Sequence, residues 1–384
     1  MDTIVSFIYD TRLTLRWATM AEINPDVTAL LLARGLAEAF DRTSADGGVI
    51  QQDASMPPRL RRGLSLLSGL CLAAGIEDLG ASVHIAMDRA CEPFSTWGIA
   101  PFDVPFRYAD VALIDRDLGI PTADCRELAA LGGSQIIAQE DLHHSALRAA
   151  IQAFSVGQRD SAYTAIREFL VRHPAVAFAD RERFVVDGGL VAAARMVASL
   201  YRPIPAGALF GGQARLCGYC AALLWPDRDT ASFPDGRCRI RQCGLAHLES
   251  ARGAEILNPV EWQLATGAAM AYWVGPGLDE IRIYDALRAA GRAAVLYPLS
   301  DAADVGVDGA DVGIDVKAYA SPVVLGTKLS QSIGRLAAFR RRILAVPDDK
   351  LRLNPRYLQQ LRDVYRGEHR LDFMTASQTI RTLT

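Results

Sequence analysis

Three charged residues near the C-terminus have the types and the spacing that metal-dependent phosphodiester cleavage requires. Asp304 lies in one valine-rich stretch, and Asp315 and Lys317 lie in the next one, where apolar and polar residues alternate. Two carboxylates can hold Mg²⁺ or Mn²⁺, helped by the backbone carbonyl of Val316, and a lysine can orient the attacking water. The sequence therefore predicts a catalytic site built from these residues.

An Asp308-Gly309 dipeptide joins the two stretches and favours a tight hairpin turn. With a two-residue turn, Asp304 would lie opposite Gly313 and therefore diagonal to Asp315. Because successive side chains of a strand point to opposite faces, both carboxylates and the lysine would share the face opposite to the valines. We expect the glycines to leave room above them.

Asp301 competes with Asp304 for the upstream metal position. The same register would place Asp301 opposite Val316, on the other face of the hairpin, which favours Asp304. A turn that is one residue longer would invert every side chain of the hairpin and remove this preference. At the level of sequence, both aspartates therefore stay open.

The elements that must position these residues follow the order αβββαβ. A helix is predicted over 277–290 and ends at Gly291, and a strand over 293–299 precedes the hairpin. After the hairpin, a helix is predicted over 326–342 and a strand over 343–346. Helices packed on a hairpin-containing sheet indicate an α+β domain.

The two helices supply further candidates. Glu280 starts a stripe of apolar residues at i, i+3, i+4 and i+7, so its carboxylate would face the core. Lys328, Gln331 and Arg335 lie at i, i+3 and i+7 of the following helix, on a face that could contact substrate phosphates. An ordinary solvated helix face explains these three residues equally well.

Four of the seven cysteines cluster within 27 residues. Cys217 and Cys220 form one close pair, Cys238 and Cys243 form a second, and a turn-rich stretch separates them. Two such pairs are typical of a structural zinc site with four thiolate ligands. Because the second pair has four intervening residues, a site with three cysteines and His247 stays open.

A disulfide framework is the alternative explanation of the cysteines. The first residues of the chain lack the basic region and the apolar core of a secretory signal. We therefore expect a cytoplasmic protein, in which thiols stay reduced and zinc is favoured. No apolar stretch is long enough to span a bilayer, so a membrane location is not expected.

The distribution of charge bears on nucleic-acid binding. A net charge of −3 excludes a global basic field of the kind that drives non-specific binding. Residues 317–384 nevertheless contain 13 Lys/Arg against 5 Asp/Glu, and a local basic surface suffices for a phosphate backbone. Arg237, Arg239 and Arg241 alternate and would share one face of an extended segment, as a phosphate-binding ridge or a solvated edge.

The chain has room for two or three domains at 384 residues and 50% hydrophobic content. Apolar residues recur at helical spacing over 24–40, 58–75, 126–154, 160–171 and 187–202. The absence of a Gly-Lys-Ser/Thr phosphate loop argues against ATP hydrolysis. We predict an α+β, multidomain protein with a mainly helical domain (1–204), a small zinc-ribbon-like hairpin module (205–252) and a C-terminal αβββαβ domain (253–384).

The C-terminal half resembles a known family. Asp315-x-Lys317 after an upstream acidic residue is similar to the motif of the PD-(D/E)xK restriction-endonuclease-like nucleases. The sequence departs from that motif in one place, because Leu299 and not an aspartate follows Pro298. The runs LeuCysGlyTyrCys, LeuTyrPro and IleAspValLysAlaTyr, with the second cysteine pair, resemble the nucleases associated with prokaryotic Piwi (pPIWI-RE) defence systems.

This resemblance implies a magnesium- or manganese-dependent endonuclease that acts on DNA, with Glu280 beside the metal. It also implies defence against phage or plasmids, together with a Piwi-like protein and a helicase. A homodimer would be the simplest way to cut both strands of a duplex. Two rival interpretations stay open: a catalytically inactive nucleic-acid-binding subunit, and a scaffold whose helical half binds another chain.

Overall fold

The computed structural model of the protein describes residues 23–46, 50–131, 147–247, 249 and 251–384. The structure is mixed α+β, with a helical N-terminal region and several small sheets, as the sequence predicts. The N-terminal segment, and residues 132–146 of the predicted helix 126–154, lie outside the described residues. Within the described ranges, no helix has both the length and the apolar character needed to cross a bilayer.

Helices dominate the chain before residue 200. They are α1 (Pro25–Asp46), α2 (Pro58–Ala74), α3 (Val83–Arg89), α4 (Ala123–Ala130), α5 (Val156–Arg172), α6 (Phe178–Asp187) and α7 (Ala194–Ser199). A short hairpin of β1 (Ile114–Asp115) and β2 (Ile120–Pro121) precedes α4. The predicted helix 187–202 is wrong, because Gly189, with a φ of 64°, follows the end of α6 and a strand follows α7.

Two small sheets follow the helical region. One contains β3 (Ala175–Ala177), β4 (Tyr201–Pro203) and β9 (Trp262–Ala265), with β9 in the middle. The other contains β5 (Ala214–Cys217), β6 (Leu223–Trp225), β7 (Arg237–Cys238) and β8 (Arg252–Ile256). The short helix α8 (Arg241–Ala246) lies between β7 and β8 in sequence. The cysteine region is therefore a four-stranded sheet with a helix and not a simple hairpin.

A five-stranded sheet organises the C-terminal region. Its strands, in spatial order, are β10 (Ala294–Leu296), β11 (Val305–Val307), β12 (Val312–Val316), β13 (Arg341–Val346) and β14 (Asp372–Thr375). The first three are antiparallel, and the last two run parallel to β12. The helices are α9 (Gly267–Ala269), α10 (Gly275–Ala289), α11 (Pro298–Asp301), α12 (Pro322–Gln331), α13 (Asp349–Leu353), α14 (Tyr357–Val364) and α15 (Ala376–Leu383). From α10 to β13 the chain has the predicted elements of the order αβββαβ, with the additional short helix α11 between β10 and β11.

The hairpin of β11 and β12 differs from the prediction in its turn. Val307 pairs with Val312, so four residues and not two form the turn. Continued by one residue beyond the pair Val305–Ile314, this register places Asp304 opposite Asp315 and not opposite Gly313. Because the register shifts by an even number of residues, the two carboxylates still share one face.

The room that we expected above the hairpin glycines is filled by apolar side chains. A Cβ atom on Gly313 would lie 2.5 Å from Cγ of Phe339, and one on Gly306 would lie 2.9 Å from the ring of Pro298. The glycines therefore allow side chains to approach the backbone closely, and they do not open a space over the carboxylates.

Two predicted elements beside the hairpin have different bounds. The strand predicted over 293–299 ends at Leu296, because Pro298 starts α11 and its fixed φ suits the first helical turn. The helix predicted over 326–342 starts earlier, at α12, and ends at Gln331. A short 3₁₀ helix and β13 occupy the rest of that range.

Two hydrophobic cores lie on the two faces of the five-stranded sheet. Ile314 and Ile343 belong to a core that also contains residues of α5, α10 and the cysteine region. Leu344 and Val346 point to the opposite face, where they share a core with apolar residues between 29 and 128. Both cores therefore join early and late parts of the chain, and the predicted domain boundaries stay a prediction.

Replacing Gly313 by alanine should destabilise the protein by about 1–3 kcal/mol, because the added methyl group would overlap the Phe339 ring in a packed core. The free energy of unfolding from urea denaturation measures this loss. Gly157→Ala is the matched control, since a Cβ atom on Gly157 meets no atom within 4 Å. Equal effects of the two substitutions would contradict the close packing at Gly313.

Candidate active site

Asp304 and Asp315 meet at the C-terminal end of β12. The backbone N–H of Val316 donates to Oδ2 of Asp304 over 2.6 Å, and the N–H of Asp304 donates to the carbonyl of Ile314 over 2.9 Å. Along a strand, the N–H and C=O of one residue point to the same edge. The carbonyl of Val316 therefore lies on the edge that faces Asp304.

Lys317 lies on the same face of the strand as Asp315. Its Nζ lies 2.9 Å from Oδ1 of Asp315, and both side chains are partly exposed. Asp124 of α4 accepts hydrogen bonds from the backbone N–H groups of Ala320 and Ser321, close after the lysine. The N-terminal region thus helps to fix the loop that follows Lys317.

A buried arginine of the helical region enters the carboxylate cluster. Nη1 of Arg167 on α5 lies 2.6 Å from Oδ1 of Asp301. Its Nη2 lies 3.1 Å from Oε1 of Glu280 and 3.5 Å from Oδ1 of Asp304. The guanidinium also lies over the ring of Tyr297, at 4.1 Å from the ring centroid. One cation therefore serves three carboxylates from different elements.

Glu280 faces the core, as its position on α10 predicts. Only 2% of its surface is exposed, and the Tyr297 hydroxyl donates a 2.7 Å hydrogen bond to its Oε2. Arg167 donates to the same carboxylate. Because both oxygens of Glu280 have donors within the protein, its carboxylate is held in one orientation behind Asp304.

Asp301 lies at the end of the helical turn α11 and not on a strand. Its carboxylate accepts a 2.8 Å hydrogen bond from the Tyr163 hydroxyl and pairs with Arg167. The predicted position opposite Val316 is therefore wrong, because the chain from Pro298 onward leaves the sheet. Of the two competing aspartates, the structure brings Asp304 next to Asp315.

The electrostatics of the cluster are unusual. Burial raises the pKa of Asp304 well above its ordinary value, and the charges of Glu280 and Asp315 raise it further. Lys317 and Arg167 oppose this rise. Burial also raises the pKa of Glu280, against the influence of Arg167. Neighbouring carboxylates with raised pKa values beside a pocket are typical of functional sites.

A pocket of about 100 Å³ opens onto the cluster. Asp304, Glu280, Val316 and Lys317 contribute to its wall. Lys328 of α12 lines it as well. This pocket gives a ligand access to the carboxylates and to the two lysines.

The three residues predicted to bind phosphates do not form one helical face. Lys328 lines the pocket, donates to the Tyr319 hydroxyl over 2.9 Å and pairs with Glu127. Gln331 ends α12, and Arg335 lies on the separate 3₁₀ helix, so the i, i+7 relation does not apply. Both of these side chains are exposed.

The four clustered cysteines converge. Their Sγ atoms all lie within 4.8 Å of one another, and the residues are buried. The Sγ atoms of Cys217 and Cys243 are 3.8 Å apart, and those of Cys220 and Cys238 are 3.5 Å apart. Thiolates about 2.3 Å from a tetrahedral zinc ion lie about 3.8 Å apart, whereas a disulfide joins sulfurs at about 2 Å. The geometry is compatible with zinc and not with disulfides.

The alternative ligand His247 lies outside this group. Its ring stacks on Tyr219 at 3.6 Å between centroids. The predicted arginine ridge is also absent from the described structure, because Arg239 lies over the ring of Trp225 while Arg241 starts α8. The extended segment that the ridge requires ends before Arg241.

Arg167 is missing from the residues that the sequence predicts, although a signal exists. With Tyr163, Ile166 and Leu170 it lies on the apolar stripe of the predicted helix 160–171. A charged residue on such a stripe is buried only with a partner. Which acids it meets depends on tertiary packing, and helical periodicity does not reveal that.

Two parts of the chain match known family models. Residues 277–384, which include the hairpin and Lys317, match the family described as REase associating with pPIWI_RE. Residues 32–177, which include Arg167, match the family described as pPIWI_RE three-gene island domain Y. Both matches associate the chain with the pPIWI_RE island. No curated protein and no solved structure matches the chain.

Asp304→Asn should raise the stability of the protein at pH 7.5, in buffer without added divalent cations, by about 1 kcal/mol or more. The pKa of Asp304 is higher in the folded protein than in the unfolded chain. Its ionisation therefore destabilises the folded protein as the pH rises from the unfolded-state pKa toward the folded-state pKa. The gain should therefore shrink as the pH falls to 5. Melting curves across this range measure it, with the exposed Asp311→Asn as control. A gain that grows on acidification would contradict the raised pKa.

Proposed function

We propose that the protein is a metal-dependent nuclease that hydrolyses phosphodiester bonds, with DNA as the favoured substrate. The observation that supports this most directly is the meeting of Asp304, Asp315 and Lys317 on one face at the end of a hairpin, beside a pocket. The match to a family described by the word REase points to the same chemistry.

The residues present fit Mg²⁺ or Mn²⁺. Asp304, Asp315 and the carbonyl of Val316 are oxygen donors, and Mg²⁺ is commonly held by one or two carboxylates together with substrate phosphates. Burial and the neighbouring carboxylates together raise the pKa of Asp304, and a divalent cation bound there would relieve the crowding of negative charge. When bound there, the metal would supply Lewis-acid stabilisation of charge on the phosphate.

The remaining roles belong to side chains of this chain. Lys317 orients the attacking water, and its contact with Asp315 keeps its ammonium at the metal-binding face. Glu280 positions Asp304 through Arg167, since its own oxygens are occupied by Arg167 and Tyr297. Lys328 contacts the substrate backbone, with Gln331 and Arg335 farther out on the surface, which gives affinity without sequence information.

The four cysteines hold a structural zinc ion in this proposal. A buried set of four thiolates at tetrahedral separations closes the coordination sphere, as in structural sites. The ion would stabilise the four-stranded sheet, whose strands are only two to five residues long. Zinc therefore supports the fold around Cys217–Cys243, while the second metal serves cleavage.

The association with the pPIWI_RE island suggests the cellular role of the proposed nuclease. A nuclease encoded there would act in prokaryotic defence against phage or plasmid DNA, with a Piwi-like protein and a helicase as partners and in the cytoplasm. A homodimer would place two sites on a duplex. The Piwi-like protein, the helicase and the homodimer are what the resemblance of the C-terminal half implies.

One observation favours a second candidate function. The Arg167 guanidinium already pairs with Glu280 and Asp304, so the cluster has a cation without any metal. A catalytically inactive nucleic-acid-binding or scaffold subunit would have such a site. Cleavage that depends on Lys317 separates the two candidates.

Wild-type protein should nick supercoiled plasmid in the presence of Mg²⁺ or Mn²⁺, and Lys317→Ala should reduce the rate on the order of 100-fold or more, because the lysine orients the nucleophile. Arg340→Ala is the matched control, since Arg340 is largely exposed and lies at the other end of the strand that follows. If the folded, zinc-containing wild-type protein does not nick the plasmid even together with its complex partners, the result would support the inactive subunit instead.

The purified protein should contain about one zinc ion per chain, measured by atomic emission. Cys220→Ser should lower this content and the melting temperature, because it removes one of four ligands. Cys91→Ser, at a cysteine outside the cluster, should change neither quantity. Full zinc content in Cys220→Ser would exclude the four-thiolate site.

A further inference from the structure

Part of the pocket wall consists of basic side chains from three separate elements. Arg241 starts α8 of the cysteine region, Lys328 lies on α12, and Lys350 lies on α13. All three line the pocket that Asp304 also lines. Lys328 has an acidic partner in Glu127. Arg241 and Lys350 have no comparable hydrogen-bonded acidic partner among the described residues.

Lys350 is buried without a hydrogen bond to its ammonium group. Its side chain is 8% exposed, and Asp349 Oδ2 lies 3.8 Å from Nζ, which is beyond hydrogen-bond distance. Among the residues that the structure describes, no acceptor lies closer to Nζ in hydrogen-bonding geometry. Because the ion pair with Asp349 is long, the N–H donors of Lys350 can serve a ligand in the pocket that the residue lines.

Arg241 is the second cation in this part of the pocket wall. In the described part of the chain, its guanidinium makes neither an ion pair nor a hydrogen bond. Burial lowers the pKa of Lys350, and the charge of Arg241 lowers it further, against Asp349 and Asp124. Asp124 attracts both cations through its charge, while its oxygens accept the N–H groups of the loop after Lys317.

The position of Arg241 is fixed from both sides. Arg241 follows Cys238 and precedes Cys243, two members of the sulfur cluster. The next residue, Gln242, packs so closely on the start of α10 that a Cβ atom on Gly275 would lie 2.2 Å from its Oε1. The cysteine region therefore holds a guanidinium at the wall of the candidate active site.

We propose that Arg241 and Lys350 form a phosphate-binding subsite for the nucleic-acid backbone, beside the phosphodiester that Asp304 and its neighbours cleave. This inference rests on the proposed function for the neighbouring phosphodiester. The planar guanidinium suits two phosphate oxygens, and the ammonium adds a point charge. The zinc module then contributes directly to substrate binding through one residue, and its sulfur cluster keeps that residue in place.

The first test is the binding of a fluorescein-labelled DNA oligonucleotide without terminal phosphates, by anisotropy, in buffer without added divalent cations. Arg241→Gln and Lys350→Met should each weaken binding about tenfold and lower the salt dependence by about one phosphate contact. Arg237→Gln, a guanidinium of the same module that does not line this pocket, should bind within twofold of the wild type. An equal loss in Arg237→Gln, or no loss in the other two, would overturn the subsite.

Melting curves exclude a merely structural role. For these curves Lys350→Met is made together with Asp349→Asn, because removing both charges of a buried pair is close to neutral, whereas removing the lysine alone leaves the buried Asp349 carboxylate unpaired. Inorganic phosphate should raise the melting temperature of the wild type and not that of this double variant. Protection by phosphate without any change in oligonucleotide binding would reassign the subsite to a free anion and overturn the nucleic-acid assignment.

Binding and cleavage measurements test the phosphate-binding subsite and the nuclease separately. In the Lys317→Ala background, which should not cleave, Arg241→Gln should still weaken oligonucleotide binding about tenfold. Binding that depends on Arg241 in a protein that never cleaves would refute the nuclease and keep the subsite. Cleavage that survives Arg241→Gln and Lys350→Met with unchanged KM would refute the subsite and keep the nuclease.

Discussion

The buried cation of Arg167 is the constraint on which the candidate site depends. Three carboxylates, on α10, on α11 and before β11, converge on it, and each would repel the others without it. Removing one partner of a buried ion pair typically costs about 3–5 kcal/mol. Its Nε has no hydrogen-bond partner among the described residues. The carboxylates and the Tyr297 ring therefore set the position of the guanidinium. The docking of α5 therefore holds the carboxylates at the end of the hairpin together.

Local patterns predicted the parts of the site that local chemistry determines. Alternation placed Asp304 and Asp315 on one face, and this survived a wrong turn length because the register error was even. The spacing of Cys217–Cys243 predicted the sulfur cluster, since each pair is local. Local patterns are less reliable for the ends of elements. The pattern predicts a strand that continues past Pro298 and a helix that continues past Gln331, whereas the backbone changes direction at both residues.

Residues brought in from other parts of the chain could not be predicted in the same way. Arg167 is 113 residues from Glu280 in sequence, and Asp124 is 196 residues from Ala320. Periodicity shows which side of a helix is buried and says nothing about what covers it. The same holds for Arg241, whose place in the pocket wall follows from the docking of the cysteine region on α10.

These long separations have a consequence for synthesis of the protein. Arg167 leaves the ribosome more than 100 residues before any of its three acidic partners. Contacts of such sequence separation form late, because the entropy of closing the intervening loop opposes them. During translation the arginine must therefore remain solvated, and α5 cannot settle into its final core. The candidate site is completed only when the last third of the chain has been made.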